Sequence, residues 1–217
     1  MRHVLAGCEH ADSIVVNPHK WLMTPIDCSA FYVRDVDILK QTFSLVPDYL
    51  KTAENDVTNY MDWGIQLGRR FRALKLWMVI RYFGHEGLAE IIRGQLQTAQ
   101  KIARQIDAHP DFVRVAPTPF TTLCFRCIPA DLAARLKDAT PDAVERSESY
   151  LEWLNDAIMQ TVNGTGEAFM APTRLDGRFV WRMAIGNIGS DEAYVSRIWD
   201  LIQQIAARLD PENRHRL

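Results

Sequence analysis

Long apolar runs are missing from this sequence. The longest is Leu76 to Ile80, far short of the roughly 20 residues a membrane-spanning helix needs. A surplus of one charge is missing as well: 25 Lys and Arg stand against 27 Asp and Glu. That balance offers no basic field to nucleic acid or to an anionic membrane. The first residues meet Glu9 and Asp12 too early for a secretory leader. Cysteine is scarce, with four in 217 residues, too few for a disulfide scaffold, and a reducing cytoplasm is the expected compartment. Only Cys124-Phe125-Arg126-Cys127 has a spacing that suggests zinc or redox chemistry. It falls within Thr121 to Cys127, a β-branched and aromatic stretch that reads as a strand. Residues three apart on a strand face opposite ways, so the two sulfurs diverge. The histidines show no ligand spacing either, and no metal centre is expected.

What is present describes an ordinary globular protein. Hydrophobic residues make up 47% and charged residues 24% of the chain, which excludes global disorder and allows one large domain or two small ones. Ser13 to Val16 and Cys28 to Val33 read as strands, joined through the proline-bracketed segment Pro18 to Pro25. Ser44 to Asp62 is polar and irregular, long for a loop and therefore a candidate functional segment. Helical spacing then dominates: Leu67 to Tyr82 with Gly84 as its stop, and Leu88 to Ile106 ending before His109-Pro110. Phe112 to Val115, Thr121 to Cys127, Glu167 to Ala171 and Arg178 to Ile185 read as strands, the last with Phe179, Trp181, Met183 and Ile185 on one side. Thr140-Pro141 opens a helix that Gly164 and Gly166 end, and Ser190 is the expected cap of a final helix running to about Leu209. From about residue 110 onward this is a sheet with covering helices. The first sixty residues hold too few elements to close a sheet of their own.

Lys20 is the candidate catalytic residue. It lies between the apolar pair Val15-Val16 and the turn Trp21-Leu22-Met23, so partial desolvation is expected. Burial disfavours the ammonium form and frees an amine able to form a Schiff base. His19 could donate to an anion or stack on a ring, and Asn17 could donate to an anion. By pattern alone, a solvated surface lysine is the commoner outcome.

The motifs around Lys20 carry more information than the lysine itself. Asp12-Ser13-Ile14-Val15-Val16-Asn17-Pro18-His19-Lys20-Trp21-Leu22, followed by Asp27-Cys28-Ser29-Ala30, closely resembles the cofactor-lysine motif of the group II pyridoxal-phosphate-dependent amino acid decarboxylases. Asn-Pro-His-Lys-Trp points to the aromatic-L-amino-acid decarboxylase branch. The resemblance continues in Pro47-Asp48-Tyr49-Leu50-Lys51, Asn59 to Trp63 and Leu67 to Trp77, and more loosely in Phe179 to Ile185. It implies the type I pyridoxal-phosphate-dependent transferase fold, an α/β architecture. Residues 1–83 would be the end of the large cofactor-binding domain, with a mostly parallel sheet, and 84–217 the small C-terminal α/β domain.

The resemblance also implies roles. Lys20 would carry the internal aldimine with pyridoxal 5'-phosphate, with His19 and Asn17 near the cofactor and Asn17 helping to hold its phosphate. Tyr49 matches the tyrosine of a mobile catalytic loop that helps protonate the carbanion left by carbon dioxide, and its presence favours simple decarboxylation over aldehyde formation. That loop reaches into the partner subunit in the family, so a homodimer sharing its active sites is implied. Gly68 and Met61 fall at substrate-pocket positions, Gly68 reading equally well as a glycine at a helix start. Arg69, Arg70 and Arg72 are candidates for an anion or for structural ion pairs. Family members are about twice this length, so the chain is expected to be the C-terminal portion of a carboxy-lyase acting on an L-amino acid of the aromatic class. The alternative is a non-catalytic fragment that pairs with a full-length relative as a dimerisation or regulatory partner.

Overall fold

The computed structural model describes residues 2–44 and 57–217, so Tyr49 and its neighbours in the irregular segment lie outside the described residues. The chain divides into two compact units, Met1–Leu88 and Ala89–Leu217.

In the first unit β1 (Ser13–Val16) and β2 (Ala30–Val33) form a two-stranded antiparallel sheet in which Ser13 faces Val33 and Val16 faces Ala30. The connection between them begins with a single helical turn, α1 (Pro18–Trp21). Proline at its first position presets the helical φ and forfeits no needed donor. α2 (Val36–Phe43) follows, capped by Asp35, whose carboxylate accepts from the backbone N–H groups of Asp37 and Ile38 at 2.9 and 3.1 Å. α3 (Arg72–Ala108) is interrupted at Gly84, where φ of 68° and ψ of 175° leave helical space. That region is open to glycine alone, so the expected helix stop at Gly84 is a break between two helical stretches.

The second unit holds a four-stranded antiparallel sheet in the order β3 (Phe112–Arg114), β4 (Thr122–Cys127), β6 (Arg178–Ala184), β5 (Ala171–Leu175). α4 (Ala130–Leu136), α5 (Pro141–Gly164) and α6 (Glu192–Asn213) complete it. The side predicted for β6 holds, since Phe179, Trp181 and Met183 are buried in one core with Ile102, Leu154, Ile158 and Ile202; the opposite side is exposed at Arg182 and Ala184 but buried at Val180, so the alternation is incomplete. Cys127 joins that core, and burial raises its thiol pKa well above the ordinary value. The mostly parallel sheet implied for the large domain is not among the described residues, where every strand pair is antiparallel.

Where β4 and β6 separate beyond Phe125 and Trp181, Asn155 of α5 takes the place of a strand partner. Its amide accepts from the Cys127 N–H at 2.7 Å and donates to the Cys127 carbonyl at 2.8 Å, and the Trp181 indole donates to the Asn155 carbonyl at 2.8 Å. Buried backbone groups at a strand end are thus satisfied by a side chain.

Two expected boundaries move. The strand expected at Glu167 to Ala171 starts instead at Ala171, because Asn163 binds both the N–H and the carbonyl of Met170 and ties the preceding residues to the end of α5. β5 then turns into β6 through Asp176-Gly177, both at positive φ, the dipeptide that a tight two-residue hairpin selects. The cap of α6 is Asp191 rather than Ser190: its carboxylate accepts from the Tyr194 N–H at 2.7 Å.

Candidate functional site

The turn that carries Lys20 is built from backbone hydrogen bonds closing on Asn17 and Pro18. Lys20 N–H donates to the Asn17 carbonyl at 2.9 Å, and the N–H groups of Leu22 and Thr24 both donate to the Pro18 carbonyl at 3.2 Å. Pro18 and Thr24 are buried, which anchors the turn at both ends.

Lys20 itself is exposed, and its amine makes no hydrogen bond or ion pair among the described residues. The partial desolvation expected from its neighbours is therefore absent here. The reason is geometric: Pro18, Thr24 and Cys28 are the buried residues of this segment, while Val15 and Val16, the neighbours expected to shield the lysine, are themselves exposed.

His19 is held far more firmly than its neighbour. Its backbone N–H donates to the Cys28 carbonyl at 3.2 Å, while the ring Nδ1 lies 2.7 Å from that carbonyl and 3.1 Å from the Cys28 nitrogen. With Nδ1 unprotonated, the Cys28 N–H donates to it; with Nδ1 protonated, the ring donates to the carbonyl. Either way Nδ1 is spent on Cys28, and Nε2 is the ring nitrogen left for a ligand. Next to this pair, the Ser29 hydroxyl donates to Asn17 Oδ1 at 2.7 Å. Asn17 keeps its Nδ2 amide as a donor.

Asn17, His19 and Lys20 thus share one turn, as the sequence reading expected, and the strand-side residues Cys28 and Ser29 brace it. The bracing was not legible beforehand, although Asp27-Cys28-Ser29 stood inside the recognised motif. Met61 lines a cavity of about 320 Å3 with Thr42, Phe43, Gly64 and Leu67, whereas Gly68 is exposed and a Cβ there would touch nothing within 4 Å.

The arginines divide as ion-pair and backbone anchors. Arg69 donates to the Tyr60 carbonyl at 2.9 Å, passing so close to Gly64 that a Cβ there would sit 3.0 Å from its Nη2. Arg72 pairs with Asp27 at 2.9 Å, and Arg70 and Lys75 stand 3.8 and 4.0 Å from the same carboxylate. The Arg72 guanidinium holds the Asp27 carboxyl below its ordinary pKa.

Residues 1–128 match the conserved domain of pyridoxal-dependent decarboxylases. The chain is similar to a phenylacetaldehyde synthase of Arabidopsis thaliana, 38% identical over 96% of this chain and 40% of that protein. It is also similar to tyrosine decarboxylase 2 of Narcissus pseudonarcissus, at 36% identity over 96% of this chain and 39% of that protein. Among solved structures, the Oryza sativa TDC with PLP and tryptamine superposes with a TM-score of 0.82 at 36% identity, covering 96% of this chain and 41% of that one. The chain spans about two fifths of the length of the curated relatives it matches. By the match over its first 128 residues, with the lysine turn inside it, this chain belongs to the pyridoxal-dependent decarboxylase family.

Proposed function

We propose that this chain carries the cofactor lysine of an enzyme that decarboxylates an aromatic L-amino acid, releasing carbon dioxide and the amine. The observation that supports it is the turn at Lys20: an exposed primary amine beside an imidazole fixed at Nδ1 and a carboxamide fixed at its oxygen. These residues fit pyridoxal phosphate, with Lys20 as its point of covalent attachment and His19 Nε2 and Asn17 Nδ2 as donors to its anionic group. When bound, the cofactor supplies an electron sink for the pair left on the substrate Cα as carbon dioxide departs. Tyr49 is the residue we assign to returning a proton to that carbon. Relatives named tyrosine and tryptophan decarboxylases support the aromatic substrate class.

In this reading residues 1–83 end the large cofactor-binding domain and 84–217 form the small C-terminal domain. The enzyme works in the cytoplasm as a homodimer whose active sites are shared across subunits.

The test is cofactor capture by the 217-residue chain. Pyridoxal phosphate is added, the visible band of the lysine-bound form is titrated, and borohydride reduction is followed by peptide mass mapping. A saturable band with the adduct on Lys20, lost in Lys20→Ala, is the expected result. A folded chain giving no specific adduct overturns catalysis by this polypeptide and favours the non-catalytic partner of a full-length relative.

A further inference from the structure

Every backbone hydrogen-bonding group of Cys28 is engaged with His19, so whatever fixes Cys28 fixes the histidine. What fixes Cys28 is the first turn of α3. Arg72 directs Nε and Nη2 at the same oxygen of Asp27, each at 2.9 Å, and the Arg72 carbonyl accepts the Cys28 thiol at 3.9 Å. Two adjacent residues of the 27–29 segment are therefore latched to one residue that lies 45 positions from Asp27 in sequence. The third, Ser29, holds Asn17. Peptide units are rigid planes, so a displacement of Asp27 is passed to the Cys28 nitrogen and from there to the His19 ring.

From these contacts we infer that Asp27 and Arg72 are positioning residues for the lysine turn. Their ion pair sets the 27–29 segment, which in turn sets His19 through the Cys28 backbone and Asn17 through Ser29, on the turn that presents Lys20. The inference rests on the reading of Lys20 as the cofactor lysine. A half-buried ion pair open to solvent on one side contributes modestly to stability by itself, but one whose carboxylate is covalently next to the histidine's anchor acts through geometry. Arginine is required because a lysine at position 72 would place a single point charge where two N–H groups now converge. Arg70 and Lys75, at 3.8 and 4.0 Å, supply charge to the same carboxylate without hydrogen bonds at that distance.

The test reads two signals in the full chain. The first is the 15N resonances of the His19 ring, assigned by comparison with His19→Gln, which distinguish a bonded from a released Nδ1. The second is the yield of borohydride-trapped pyridoxal phosphate on Lys20. Asp27→Asn, Arg72→Gln and the milder Arg72→Lys are compared with Arg114→Gln, which removes an ion pair to Asp107 at 2.7 Å in the other unit. The Trp181 indole signal reports that the second unit is folded in every sample, and the far-UV spectrum that helix content is kept.

Asp27→Asn and Arg72→Gln are expected to move the His19 ring signals and to lower the Lys20 adduct about tenfold or more. The double variant should be no worse than either single one, and Arg114→Gln should change neither signal. His19 resonances and adduct yield both unchanged in Asp27→Asn and Arg72→Gln overturn the inference, and so does an equal effect from Arg114→Gln. If the unaltered chain gives no adduct on Lys20, the reading of this polypeptide as catalytic fails, and the latch is judged on the His19 signals alone. Movement of the His19 signals in the variants would then mark that failure as one of the reading rather than of the latch.

Discussion

The two units spend their apolar residues differently. In Ala89–Leu217, Leu154, Ile158, Trp181 and Ile202 are completely buried, whereas in Met1–Leu88 the side chains of Val15, Phe31, Phe71 and Trp77 are 50–76% exposed. A sheet with helices packed on it can close a core, whereas a two-stranded ribbon with short helices cannot. The order around Lys20 accordingly comes from hydrogen bonds and an ion pair, namely Cys28 on His19, Ser29 on Asn17 and Arg72 on Asp27.

The strongest way to break this contrast is to truncate matched residues in the two units. Trp181→Ala should destabilise the second unit by about 3–5 kcal/mol, read by urea unfolding. Phe71→Ala, at an exposed position, should stay within about 0.5 kcal/mol. Equal losses would mean that the first unit has a core after all.

Next in size is Asn155→Leu, which keeps volume but strips both Cys127 backbone groups of their partner. Each buried group left unsatisfied costs about 1–3 kcal/mol, so a clear fall in the urea midpoint is expected, with loss of the downfield Cys127 amide signal. A neutral substitution would show that the strand end finds water or another partner.

Acid gives the smallest and most local effect. Asp27 has its pKa lowered by the Arg72 hydrogen bond, so its contribution is present above the ordinary carboxylate range and is lost as pH falls through its lower folded value. The Cys28 amide resonance should therefore shift in that acid window. Asp107, Asp131 and Glu152 are lowered in the same way by Arg114, Arg214 and Arg174. The Trp181 indole, which donates to a backbone carbonyl, should not follow Asp27. An indole signal that moves together with Cys28 would mean that acid unfolds both units at once.

Much of the second unit was legible in advance because its signals are local. The buried side of β6, the Thr140-Pro141 helix start and the glycine break at position 84 each depend on neighbouring residues. Misplacements arose where a more distant side chain intervened: Asn163 holding Met170 delays β5. The Asp176-Gly177 dipeptide is a local hairpin signal too, since both residues take the positive φ that the turn needs. α1, α2 and α4, of four, eight and seven residues, are too short for a sustained apolar period to announce them, although Val36, Leu39 and Phe43 of α2 do fall at helical spacing.

By itself the sequence determined the family, through motifs kept in order from Asp12 to Trp77, and it determined which three residues share the lysine turn, since Asn17, His19 and Lys20 are nearly adjacent. Only the tertiary structure decided that Lys20 is exposed while His19 is pinned. It also decided that the pin runs from Cys28, nine residues away, to Arg72, 45 residues from Asp27. Periodicity and caps report a residue's immediate neighbours, whereas burial and long-range hydrogen bonds depend on which distant segments the folded chain brings within about 3 Å.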